Sequence, residues 1–182
     1  MGAIKIYVLT MGDELRMQSV RDQLENVDFE FFYGVRTTLV DAVNSENFDY
    51  NEYRSTNKNF LPDNAVGCTL SHNQIYQDIV AKNFTGAVIL EDDFLIRYKI
   101  SELYPLLSEF NLDQIGVCIL GYSKFNLFDL FNYNLSNPFV SSRQFYKQFK
   151  IRRRSFHTSC GTVGYYISKN AADFVLQSGT PY

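Results

Sequence analysis

The 182-residue chain is predicted to be an α/β domain with a mostly parallel central sheet flanked by helices. Two observations predict it. Strand-like and helix-like segments alternate along the chain, the pattern that builds a sheet covered by helices. Two short runs, residues 87–90 and 115–120, hold no charged residue on either side, as strands buried on both faces do. Hydrophobic residues make up 46% of the chain, with 13 Tyr and 16 Phe, enough for one domain with a core of its own. A chain of this size buries roughly 70% of its unfolded surface.

The elements follow in order. Ile4-Lys5-Ile6-Tyr7-Val8-Leu9 alternates with β-branched residues and ends at Thr10-Met11-Gly12-Asp13, a strand and a turn. Leu15, Val20 and Leu24 set a helical period over residues 14–26. Residues 29–35 form a second, aromatic strand, and the polar, Asn-rich stretch 36–62 is loop with one short helix. Pro62-Asp63-Asn64 starts a helix, because Asp or Asn can accept from its first free amides. That helix runs to about Lys82 and stops at Asn83-Phe84-Thr85-Gly86. Residues 87–90 are the first buried strand, residues 100–110 a helix and residues 115–120 the second buried strand. Residues 122–160 read as irregular, residues 162–167 as the last strand, and Ser168-Lys169-Asn170 opens a helix ending near Gly179.

Composition narrows the function classes. Charged residues at 20% exclude disordered and fibrous chains. No apolar run is long enough to span a bilayer, and Met1-Gly2-Ala3 leads straight into a strand, so neither a transmembrane segment nor a signal peptide is expected. Cysteines at 68, 118 and 160 are odd in number and widely spaced, which fits free thiols in a reducing cytoplasm. The net charge is −3, yet residues 130–172 contain no Asp or Glu and seven Lys or Arg, leaving −10 on the remainder. A basic patch on an acidic body argues against nucleic acid and for a local anionic partner.

Open α/β sheets bind ligands beyond the carboxyl ends of their strands. Glu91-Asp92-Asp93 lies there, directly after the buried strand. Strand alternation puts Glu91 and Asp93 on one side, where two carboxylates can share Mn²⁺ or Mg²⁺ and the ion can take phosphate oxygens. The competing reading has these acids cap the following turn or pair with Arg97 or Lys99. On the preceding helix, Cys68, His72, Ile75 and Ile79 share a face. Cys68 and His72 either pack at the core edge or join His157 and Cys160 in a Cys₂His₂ zinc site, although C-x-x-x-H with H-x-x-C is not a familiar zinc spacing. Residues 144–154 interleave Phe145, Tyr146 and Phe149 with basic side chains, as a lid, an acceptor groove or a solvated flap would. Gly161-Thr162 suggests a close backbone approach.

Three stretches together resemble glycosyltransferase family 25, the lipooligosaccharide galactosyltransferases and their collagen-modifying relatives. They are Gly67-Cys68-Thr69-Leu70-Ser71-His72, Val88-Ile89-Leu90-Glu91-Asp92-Asp93 and Gly161-Thr162-Val163-Gly164-Tyr165-Tyr166-Ile167-Ser168. Ile6-Tyr7-Val8-Leu9 with Arg16 is similar to that family's opening, so the likeness covers nearly the whole chain. The resemblance implies a GT-A, Rossmann-like fold, a UDP-sugar donor (UDP-galactose), a divalent ion and inversion at the anomeric carbon. It implies that Glu91 and Asp93 hold the metal, and that Leu9, Thr10, Arg16 and Asp92 serve the nucleotide-sugar. Leu9-Thr10 departs from the Asn-Leu usual in the family. Family members also continue past the last helix with a further acidic motif, whereas this chain stops at Pro181-Tyr182. Residues 1–182 are accordingly read as one GT-A-like domain, whole or lacking its C-terminal part, and no catalytic base is assigned.

The expected function is an inverting transfer of galactose to an anionic glycolipid acceptor, a lipooligosaccharide or lipopolysaccharide, by a cytoplasmic protein with peripheral contact at the inner membrane face. Two alternatives use the same residues. A nucleotidyltransferase would need a phosphate loop after the first strand, where only Gly12 and Arg16 are offered. A nucleotide-sugar-binding module without turnover would use the basic flap for docking.

Overall fold

A computed structural model describes residues 3–38, 63–95, 116–120, 139–146, 149–154 and 163–178. A five-stranded sheet organises it: β1 (Ile4–Thr10), β2 (Glu30–Tyr33), β3 (Gly86–Glu91), β4 (Val117–Ile119) and β7 (Gly164–Ser168). Their order is β2-β1-β3-β7-β4. β1 pairs parallel with both β2 and β3, in register Leu9↔Glu91. β7 runs antiparallel to β3 and to β4. The sheet is therefore open and mixed, with β7 alone reversed among the described strands, and the expected parallel character holds only in part.

Helices cover both faces. α1 (Glu14–Gln23) packs Val20, with Leu24 just beyond it, against Ile6, Val8, Val88 and Leu90. On the other face α2 (Asp63–Ala81) and α3 (Lys169–Ser178) bring Ile75, Ile79 and Ala172 onto Tyr7, Ile89, Tyr165 and Ile167. The alternation of β1 and β3 thus feeds two cores, and both strands set apolar residues on each face for that reason. Met17, not Leu15, supplies the inner position of α1's first turn, and Leu15 is 86% exposed.

Local chemistry sets the boundaries. Gly12 takes φ +85°, a left-handed conformation that costs glycine little, and turns the chain from β1 into α1. Asp13 then caps α1 by accepting from the amides of Leu15 and Arg16 at 3.0 and 3.1 Å. Asn83, at φ 58°, ends the turn after α2, and the Phe84 amide reaches back to the Ile79 carbonyl at 3.1 Å. Ser168 caps α3 by accepting from the Ala171 amide.

Two expectations are corrected. The run 115–120 is not a strand buried on both faces: β4 is the outer strand beside β7, and Val117 is 51% exposed. Within the stretch read as irregular, β5 (Phe139–Tyr146) and β6 (Phe149–Arg154) form an antiparallel hairpin with irregular register. Aromatic and basic residues mixed without strict alternation hide a strand that a bulge throws out of period. The helix expected at residues 100–110 and the short helix within 36–62 fall outside the described residues, as do Arg97, Lys99, His157, Cys160, Gly161 and Thr162.

Candidate functional site

A cleft of about 490 Å³ opens where β1 and β3 end side by side. Leu9, Thr10, Arg16, Glu91, Asp92 and Asp93 all line it, so the six positions expected to hold donor and metal converge on one surface. Its far wall comes from Val35, Arg36 and Thr37 after β2 and Asn64 and Ser71 on α2, which the sequence did not single out for nucleotide or metal, and from Cys68, which it offered only as a zinc ligand with His157 and Cys160.

The three acids have different fates. β3 stops at Glu91, and Asp92 and Asp93 form a turn, so strand alternation does not carry through Asp93. Asp92 is turned inward and is only 8% exposed. Its Oδ2 accepts from the Thr10 hydroxyl at 2.7 Å, and its Oδ1 accepts from Arg16 Nη1 at 3.0 Å. The Asp92 amide also donates to the Leu9 carbonyl at 3.0 Å, extending the β1–β3 ladder by one rung. Thr10 Oγ1 accepts in turn from the Gly12 amide. A buried carboxylate with a charged partner and a hydroxyl donor is well satisfied. Asp92 therefore fastens β1, α1 and β3 together at the edge of the cleft.

Arg16 remains 53% exposed while it holds Asp92. The hydrogen bond to Asp92 first, then the charges of Asp92, Asp93 and Asp13, push its already high pKa further up. Among the described residues one of its N–H groups is used, and the guanidinium lines the cleft with four further donors on its fork. Arg36 adds a second cation to the cleft, its Nη2 donating to the Met11 carbonyl at 2.8 Å. The amides of Leu15 and Arg16 are taken by Asp13, so the start of α1 does not offer them as a phosphate loop.

Glu91 is half-buried and Asp93 exposed, both on the cleft wall. These are hard oxygen donors of the kind that Mn²⁺ and Mg²⁺ take, and Asp92 accepts a hydrogen bond on each of its oxygens.

The α2 wall is shaped by its motif. A Cβ on Gly67 would sit 2.6 Å from the Val35 carbonyl oxygen, so only glycine lets the helix approach there. Ser71 Oγ donates to the Gly67 carbonyl at 2.6 Å and accepts from the Val35 amide at 2.8 Å, tying α2 to the chain after β2. His72, Ile75 and Ile79 are buried and Cys68 half-buried, as their shared face predicts. His72 Nδ1 lies 2.6 Å from Tyr165 Oη, which lies 2.7 Å from Tyr76 Oη. Burial pushes the His72 pKa down to about 4. Burial, then the Glu91 charge, pushes the Cys68 thiol up. Cys68, His72 and Glu91 each place a ligand atom within 4.8 Å of the other two. Nothing in the spacing of residues 72 and 165 announces their contact, and Glu91 was not linked to Cys68 or His72 by sequence.

No helix among the described residues is long and apolar enough to cross a membrane. No curated protein matches the chain significantly. The model of glycosyltransferase family 25 (LPS biosynthesis protein) matches residues 3–181, nearly the whole chain. The chain belongs to that family.

Proposed function

With family membership as the premise, and with it a glycosyltransferase of lipopolysaccharide biosynthesis, we propose that the cleft binds the diphosphate of a UDP-sugar, UDP-galactose. The sugar passes with inversion to a hydroxyl of a lipooligosaccharide or lipopolysaccharide acceptor. The observation that carries this reading is the convergence of Thr10, Arg16, Glu91, Asp92 and Asp93 on one cleft at the ends of parallel β1 and β3. Ligands of open α/β sheets sit in that position.

The residues divide the work. Asp92 does not touch the donor in this reading. It holds the Arg16 side chain in place, and Arg16 and Arg36 face the diphosphate. Glu91 and Asp93 would hold Mn²⁺ or Mg²⁺, which would supply positive charge to offset that of a diphosphate leaving group. Leu9 and the apolar wall of Met11 and Val35 pack beside the nucleotide. Setting these groups around the ends of β1 and β3 would preorganise the charge that UDP departure needs. Inversion requires a base opposite the leaving group, which this reading leaves unassigned. The basic stretch 143–154, with Arg143, Lys147, Lys150, Arg152, Arg153 and Arg154, suits an anionic acceptor or the membrane surface beside it.

The test is a panel of UDP-sugars offered with a lipooligosaccharide acceptor, with Mn²⁺ and with chelator, and the product's anomeric configuration read by NMR. A β-linked galactose formed only with the metal is the expected result. A retained α-configuration refutes the mechanism, and preference for another UDP-sugar refutes the donor.

A further inference from the structure

We propose that Cys68, His72 and Glu91 form a binding site for a zinc-class divalent cation in the α2 wall of the cleft. α2 sets Cys68 and His72 four residues apart on one face, and β3 ends by delivering Glu91 beside them. One ligand atom of each lies within 4.8 Å of the other two, a spread that small side-chain rotations close around a single ion.

An independent observation points to a ligand. His72 is 7% exposed, and its Nε2 is buried with no hydrogen-bond partner among the described residues. Buried ring nitrogens are rarely left so, because the lost hydration is not returned. Nδ1 is already engaged by Tyr165, which is engaged by Tyr76. With the proton on Nδ1, Tyr165 Oη accepts from His72 and donates to Tyr76, and Nε2 presents a lone pair. Metal-bound histidines are oriented in this way, the second nitrogen donating to a fixed acceptor.

The donor set selects the ion. Thiolate, imidazole and carboxylate together suit Zn²⁺ or Co²⁺, whereas carboxylates alone suit Mn²⁺ or Mg²⁺, and Glu91 is the one residue common to this set and to the pair it makes with Asp93. Three protein ligands leave a fourth position open, as in zinc sites that take water or substrate. Cys68 and Glu91 line the cleft, so an ion held by them would border it. Nothing in this assignment needs His157 or Cys160.

Cobalt titration of the reduced, full-length chain without nucleotide tests the site. About one equivalent of Co²⁺ should bring a thiolate-to-metal charge-transfer absorption that Zn²⁺ then bleaches. Cys68→Ser should remove the band. His72→Gln and Glu91→Gln should weaken Co²⁺ binding by tenfold or more, and Tyr165→Phe by about 10–100-fold. Cys118→Ser and Cys160→Ser should leave the band unchanged. Absence of the band overturns the proposal, as does its survival in Cys68→Ser or its loss in Cys160→Ser. If Cys68→Ser does not fold, Glu91→Gln, at a half-buried position, carries the test: Co²⁺ affinity unchanged by it overturns the site. Because no donor is present, failure here leaves the UDP-sugar reading standing, and absence of sugar transfer leaves the cobalt result standing.

Discussion

The hydroxyl of Thr10 donates to Asp92 Oδ2 at 2.7 Å, so the last residue of β1 secures the acid that follows β3. Arg16 closes the same carboxylate from α1. Asp92→Ala would strand the buried Thr10 hydroxyl and free the Arg16 side chain. The expected cost is about 1–3 kcal/mol in urea unfolding, with weaker UDP binding. Asp92→Asn should recover more stability than UDP affinity, because the amide still accepts from Thr10 but no longer pairs with Arg16. Equal recovery of the two would show that Asp92 acts on the fold alone.

Asp93 is exposed and touches the cleft, so its loss should be felt by metal and not by the core. Calorimetric titration is expected to show UDP affinity rising with Mn²⁺ in the native chain. Asp93→Asn should erase that gain with an unchanged unfolding midpoint. Identical UDP affinity with and without Mn²⁺ in the native protein would dispose of the metal role.

Gly67→Ala adds a methyl 2.6 Å from the Val35 carbonyl oxygen, a backbone atom that cannot rotate aside. α2 must shift away and the Ser71–Val35 bond must stretch. Overpacking of this kind costs about 1–3 kcal/mol, against the small gain that Gly→Ala brings inside an unhindered helix. A variant as stable as the parent would mean that the helix yields freely there.

His72 supplies a pH signature. Its folded pKa is lowered by burial to about 4 from 6.5. The unfolded chain therefore binds the extra proton first as pH falls. The stabilisation from a neutral His72 is complete above about pH 6.5 and is withdrawn progressively down to about pH 4, a loss on the order of 3 kcal/mol. Urea midpoints of the native chain should drop across that window more steeply than those of His72→Gln, and parallel pH profiles would contradict the buried, neutral ring.

The acid triplet was legible because polar residues directly after an unbroken apolar run mark where a buried strand meets a ligand edge. The face of α2 was legible from its period, and the two-sided burial of β3 from its composition. The direction of β7 was not: a strand buried on both faces reads the same whichever way it runs. β4 misled for a related reason, since an apolar run does not say whether a neighbour lies on both of its edges. The partners of Asp92 and His72 were hidden by distance along the chain. Thr10 precedes Asp92 by 82 residues, and Tyr165 follows His72 by 93. The loop wall of the cleft, Val35 to Thr37, carries no periodic signal at all.

The place of β7 between β3 and β4 has a consequence for how the chain acquires its structure. From Gly86, paired with Ser168, to Leu90, paired with Gly164, one edge of β3 has no permanent neighbour until β7 has been synthesised. β1 and β2 can assemble on the other edge early, while an apolar ribbon of open amides and carbonyls waits on this one. Such non-local pairing slows folding and exposes a strand edge to other chains in the interval. The half of the cleft made by Glu91 also waits, because its amide donates to the Val163 carbonyl. During translation, the acids that end β3 emerge long before the strand that steadies them.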